Sequence, residues 1–208
     1  DYVAEFLAKQ GIRHVFTISG GASLHLIHSI AGADNIDYIC PQHEQAGAMA
    51  ADAYARVTGG LGAAISTSGP GATNMITGIC CAYYDSVPVI FVTGQVTTFR
   101  LKRDSGVRQL GFQETDVVDM CKPITKYAVM VEDLRMLRYE LEKACHLAQS
   151  GRPGPVLIDL PDNLQREQID PDSLESFQPS PIPSPESTDL KGKARECLAA
   201  LESAERPV

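Results

Sequence analysis

Glu44 is the residue of this chain best placed to do chemistry. It lies in Pro41-Gln42-His43-Glu44-Gln45-Ala46-Gly47-Ala48, between a short apolar run at 36–40 and a segment with helical spacing. A carboxylate at a strand-to-helix junction stands where α/β proteins place reactive groups, outside the carboxyl ends of their strands. There it can share or transfer a proton; its plainer use is as a first-turn acid of the helix. A second such junction follows at Thr67-Ser68-Gly69-Pro70-Gly71-Ala72-Thr73-Asn74. Taken alone, this is a Gly-rich connection from strand to helix, as much structural as functional. The turn begins like a dinucleotide fingerprint but ends in Asn74, and the next strand ends Val92-Thr93-Gly94 with no acid for a ribose, which argues against that use. The chain has no G-K-[ST] and no G-x-S-x-G, so a P-loop and a nucleophile elbow are excluded. His25, His28 and His43 have no metal-ligand spacing, and no metal site is expected within this chain.

The elements that must position these turns follow from periodicity. Helical stripes are predicted over 2–9, 23–30, 45–57, 73–84 and 133–149, and strands over 15–18, 36–40, 62–67, 87–93 and 155–160. In the 45–57 helix the predicted inner face is Ala46, Met49, Ala50, Ala53, Tyr54 and Val57. The 87–93 run is almost wholly apolar, as suits a central parallel strand. The stretch 97–115 is polar, carries Arg100, Lys102, Arg103 and Arg108, and reads as a long loop. Alternation of strand and helix predicts an α/β fold: a doubly wound, mostly parallel sheet with helices on both faces.

Composition narrows the classes of function. The 208 residues are 44% hydrophobic and 21% charged, an ordinary globular balance. A net charge of -8 argues against a nucleic-acid partner, which calls for a basic face. No apolar run reaches the length of a membrane span. Six cysteines without a C-x-x-C pair read as buried, reduced thiols of a cytoplasmic protein. The chain begins at Asp1 and not at methionine, so the lack of a leader says little about compartment.

The runs Gln42-His43-Glu44-Gln45-Ala46, Asp52-Ala53-Tyr54-Ala55-Arg56-Val57-Thr58-Gly59, Thr67 to Asn74, Tyr84-Asp85-Ser86-Val87-Pro88 and Thr93-Gly94-Gln95-Val96 occur in that order. They continue through Phe112-Gln113-Glu114-Thr115-Asp116, Thr125-Lys126-Tyr127 and Gly151-Arg152-Pro153-Gly154-Pro155-Val156-Leu157-Ile158-Asp159-Leu160-Pro161. Together they resemble the N-terminal pyrimidine-binding domain of thiamine diphosphate enzymes, nearest to acetolactate synthase large subunits, over residues 1 to about 165. The resemblance implies that Glu44 is the catalytic glutamate. In the family this residue hydrogen-bonds N1′ of the cofactor's aminopyrimidine and promotes loss of the thiazolium C2 proton, a task that needs a pocket shielded from water. By the same resemblance Gly21, Gly69, Pro70, Gly71 and Asn74 bind cofactor, and Phe112 and Gln113 lie on the substrate side.

The implied protein is a carboligase that decarboxylates pyruvate or another 2-oxo acid and transfers the acyl group. It would be a homodimer or homotetramer with its site at a subunit interface. The family's diphosphate and Mg²⁺ are held by a C-terminal domain with a Gly-Asp-Gly motif, which this chain lacks, so the chain alone is expected to be inactive. The expected organisation is a pyrimidine-binding domain at 1–168, a Pro/Ser-rich linker at 169–189 and the start of a truncated central domain at 190–208. Ile18-Ser19 replace the family's usual Tyr-Pro, Asp162-Asn163 replace Lys-Asp, and 99–110 is longer and more basic. These departures keep open a 2-oxo acid decarboxylase or a carboligase for another substrate. A cofactor-free interaction module on the same fold is the alternative of a different class.

Overall fold

The computed structural model describes residues 1–179 and 189–206. The first helix, α1 (Tyr2–Lys9), buries Val3, Ala4, Phe6 and Leu7, and the chain leaves it through Gly11 at φ 82°. Next come β1 (His14–Thr17), α2 (Leu24–Ala31), β2 (Asp37–Ile39), α3 (Glu44–Thr58), β3 (Gly62–Ser66), α4 (Pro70–Asn74) and α5 (Ile76–Tyr84). They are followed by β4 (Val89–Gln95), α6 (Val117–Cys121), β5 (Tyr127–Met130), α7 (Leu137–Gln149) and β6 (Val156–Pro161). The six strands form one sheet in the order β2-β1-β3-β4-β6-β5, and every pairing is parallel. The α/β, doubly wound architecture expected from the sequence is the one found.

Helices cover both faces. Residues of α1, α2 and α7 pack with Val15, Ile65, Ile90 and Ile158 on one side. Residues of α3, α5 and α6 pack with Ala64, Phe91 and Leu157 on the other. Alternate residues of β4 therefore serve opposite cores, and all seven are buried. The edge strand β2 is exposed along its length; its charged Asp37 blunts pairing with another chain.

Small residues set how closely α3 lies to its neighbours. A Cβ on Gly62 would sit 2.1 Å from the Ala51 carbonyl oxygen, and one on Gly78 would sit 2.4 Å from Ala48 Cβ. These contacts turn Gly47, Ala48, Ala51, Asp52 and Ala55 inward. The inner face read from periodicity was therefore wrong: Ala46, Met49, Ala53 and Val57 form an exposed apolar stripe, with Val57 87% exposed. Three further differences concern elements. The helix expected over 73–84 begins earlier, with Pro70 at the first turn of α4, and is divided at Met75; proline fits that first position because its missing N–H has no partner there anyway. The short α6 and β5 were not anticipated. Of the six cysteines, all free, only Cys121 and Cys145 are buried.

The chain divides into two compact units, Asp1–Phe177 and Gln178–Val208. Phe177, within the expected linker, lies against α7. The Phe177 N–H donates to Glu142 Oε2 at 2.7 Å, and its ring meets Tyr139 edge-on. Residues 180–188 of that linker lie outside the described residues. The second unit contains α8 (Leu190–Ser203), capped by Asp189, with Leu190, Leu198 and Leu201 exposed. Among the described residues no helix is long and apolar enough to cross a membrane.

Candidate functional site

All the expected site residues lie beyond the carboxyl ends of parallel strands. The chain passes from β1 outward to β2 and then back across to β3 on the other side of β1. This reversal opens a crevice where ligands of open α/β sheets bind. Gly20-Gly21 follows β1, Glu44 follows β2, and Gly69 to Asn74 follows β3.

Glu44 is the first residue of α3, after His43, whose Nδ1 accepts the Gln45 N–H at 3.1 Å. Asn74, at the end of α4, donates from Nδ2 to Glu44 Oε2 at 3.0 Å. No hydrogen bond reaches the other oxygen, Oε1, from the described residues. Gly69 takes φ 61°, ψ -126°, a conformation strained for any other residue. A Cβ on Gly71 would meet Thr67 Cγ2 at 2.7 Å and Glu44 Oε1 at 3.5 Å, so the glycine keeps the space beside that oxygen clear. Thr67 joins the turns: its Oγ1 accepts the Ala22 N–H at 3.1 Å, and Gly20 packs on its Cβ. Gly21 is exposed, with open space where a Cβ would be, and Pro70 is exposed at the start of α4.

The structure thus brings Gly21, Glu44, Gly69, Pro70, Gly71 and Asn74 into one neighbourhood. Gln113 joins them, because a Cβ on Gly69 would lie 2.8 Å from Gln113 Cβ. Phe112 does not close over the site and is 82% exposed. The shielding expected around Glu44 is incomplete within this chain, where the residue is half-buried. Two hollows of 990 and 550 Å³ flank α1 and α2 and include none of these residues. In the basic loop, Lys102 pairs with Asp116 and Arg103 with Glu132, while Arg100 and Arg108 face solvent.

Two acids escaped the sequence reading. Asp159, within β6, is 1% exposed, and burial pushes its carboxyl up to about 7 against the bonds it accepts from Thr93 and Gln95. The available signal was a lone charge inside an apolar strand. Glu114 is 7% exposed and accepts three backbone N–H groups; no local pattern announces it. Among the described residues no group of three His, Cys, Asp or Glu side chains is placed to hold a metal.

Residues 1–120 match the family described as thiamine pyrophosphate enzyme, N-terminal TPP binding domain. The chain belongs to this family. Relatives include an acetolactate synthase of Arthrospira platensis, 44% identical over 79% of this chain and 28% of its own length. Acetolactate synthase isozyme 3 large subunit of Escherichia coli (strain K12) is 38% identical over 100% of this chain and 35% of its own. Acetolactate synthase 2, chloroplastic, of Nicotiana tabacum is 41% identical over 83% of this chain and 25% of its own. The chain therefore spans a quarter to about a third of these relatives. Within the thiamine pyrophosphate enzyme family it represents the N-terminal, cofactor-binding part.

Proposed function

We propose that this chain is the pyrimidine-binding part of a thiamine diphosphate-dependent 2-oxo acid carboligase of the acetolactate synthase kind, with Glu44 as its catalytic acid. The observation that carries the reading is the division of labour in the Glu44 carboxylate. Asn74 holds Oε2, while Oε1 faces ground kept clear by Gly71. A ring nitrogen needing one hydrogen-bond partner fits that arrangement. Glu44 would hold a proton shared with N1′, Asn74 would fix the carboxylate's orientation, and Gly69, Pro70, Gly71 and Gly21 would form the cradle. When bound, the cofactor supplies a nucleophilic carbon able to take up a 2-oxo acid and release CO2. Its diphosphate and Mg²⁺ would be held by a domain outside this chain.

The exposed stripe Ala46, Met49, Ala53 and Val57 runs along the helix that begins with Glu44. An exposed apolar face suits docking of a second subunit, which would also complete the shielding of Glu44 in a homodimer or a dimer of dimers. The tail at 190–208 would begin a central domain after the linker. Six free thiols suit a reducing, cytoplasmic setting.

One observation favours a substrate other than pyruvate. Where the family's lysine is usual stands Asp162, 3.7 Å from His25 and 3.0 Å from Arg166; a related carboligase or decarboxylase is the second reading. Calorimetric titration of thiamine diphosphate into the full-length protein, with and without Mg²⁺, tests the cofactor reading, and a panel of 2-oxo acids assayed for CO2 release tests the reaction. Saturable, Mg²⁺-dependent binding is expected. No binding at millimolar cofactor would leave the cofactor-free module.

A further inference from the structure

We propose that Glu114 is a positioning residue: its carboxylate pins the 102–113 excursion so that Gln113 is held against Gly69 and Phe112 is presented beside the cofactor turn. The proposal rests on the functional reading of the Gly69 turn given above.

The pin is visible in the hydrogen bonds. Glu114 Oε1 accepts the Lys102 N–H at 2.6 Å, and Oε2 accepts the N–H groups of Leu110 and Gly111 at 2.9 and 3.2 Å. One side chain thereby ties both ends of the excursion together. The carboxylate is buried, and no lysine, arginine or histidine among the described residues lies within ion-pair distance of it. A buried charge without a counterion persists only where several donors face it, and here the backbone supplies them. The base of the loop is seated on the sheet. Gly111 packs on Val96, where a Cβ would come within 2.9 Å, and the Thr115 carbonyl accepts from Gln95 Nε2 at 2.9 Å.

What the pin orders is narrow. Most of 102–110 is exposed and adds nothing to either core. The excursion meets the candidate site at Gln113, which stands at φ 59°. A non-glycine residue in this region is costly and is kept only where its surroundings fix it. It abuts Gly69, itself at φ 61°. Two unusual backbone conformations thus meet at the cofactor turn, one residue from the carboxylate that fixes the loop.

Glutamine cannot replace that carboxylate. Both oxygens of Glu114 face donors, so an amide would set its NH2 against either the Lys102 N–H or the Leu110 and Gly111 pair. In the full-length protein, Glu114→Gln is expected to speed hydrogen exchange of amides 102–113 by about tenfold or more and leave α3 and α5 unchanged. This arm needs no catalytic assay. With the 2-oxo acid that the unsubstituted protein turns over fastest in the panel above as the probe, KM should rise about tenfold while kcat changes by less than about threefold. Adding Glu114→Gln to Gln113→Ala should raise KM little further, since both act through the same contact. Unchanged exchange in 102–113, faster exchange throughout the domain, or KM effects that combine in full would each overturn the proposal. Failure of the unsubstituted protein to bind thiamine diphosphate would instead remove the functional reading, while the exchange arm would still decide the pin.

Discussion

Replacing Asp159 by asparagine should make the domain more stable at alkaline pH. Asp159 lies opposite Thr93 in the β4–β6 ladder and is 1% exposed. Its Oδ1 accepts from Thr93 Oγ1 at 2.6 Å and its Oδ2 from Gln95 Nε2 at 2.9 Å. Glu114, Asp116 and Asp119 line the same 180 Å³ cavity, and among the described residues no cation pairs with Asp159. Burial raises the carboxyl from its ordinary 3.8 to about 7. A rise of about three units corresponds to about 4 kcal/mol between the two protonation states. Because the folded chain holds this proton more tightly than the unfolded one, the contribution is fully present below pH ~4 and is lost as pH rises through ~7. Asparagine mimics the protonated acid, with an NH2 for Thr93 Oγ1 and an oxygen for Gln95 Nε2. Urea unfolding of both proteins between about pH 4 and pH 8, followed by circular dichroism, measures the difference. The two should be nearly equal at the acid end, with the variant ahead by up to about 4 kcal/mol at the alkaline end. A difference that stays constant with pH, or a variant less stable at pH ~8, would refute the reasoning.

Three further outcomes are expected. Gly94→Ala would place a Cβ 1.9 Å from the Ala22 carbonyl oxygen, where backbone must move, so unfolding in urea should show a loss of about 3 kcal/mol; a loss below about 1 kcal/mol would count against this packing of the Gly21 turn on β4. Asn74→Ala removes the hydrogen bond that orients Glu44, and a charged bond of about 2 kcal/mol translates to a Kd for thiamine diphosphate raised by at least about tenfold in calorimetry; an unchanged Kd would separate Asn74 from the site. Ala53→Glu, on the exposed stripe of α3, should leave the stability of the domain within about 0.5 kcal/mol yet shift the full-length protein toward smaller species in sedimentation; retained assembly would place the subunit contact elsewhere.

What could be read from the residues was local chemistry. A strand, a turn of Gly69-Pro70-Gly71 and a helix are specified within a dozen positions, so the junctions carrying Glu44 and Asn74 are legible in the residues alone. The inward face of α3 was not, because alanines lie on both sides of the helix and a 3.6-residue period fits either. The choice is made by Gly62 and Gly78, whose missing side chains admit Ala51 and Ala48, and that is long-range information. The elements α6 and β5 are short and separated by Pro123, too brief for periodicity to register. Asp159 was hidden by its apolar neighbours, and Glu114 acquires meaning only when the loop closes on it. Glu44 is half-buried in this chain, and the proposed assembly would cover it with a second subunit, which no local pattern records.

The measurement closest to the central claim is C2 proton exchange of thiamine diphosphate bound to the full-length protein, followed by deuterium incorporation for the parent and for Glu44→Gln. Glutamine keeps the size of the side chain and can still bond Asn74, but it cannot share a proton with the ring. Exchange slowed by about a hundredfold or more, with the cofactor still bound, is the predicted result. Exchange at the parental rate in the saturated variant would contradict the role assigned to Glu44.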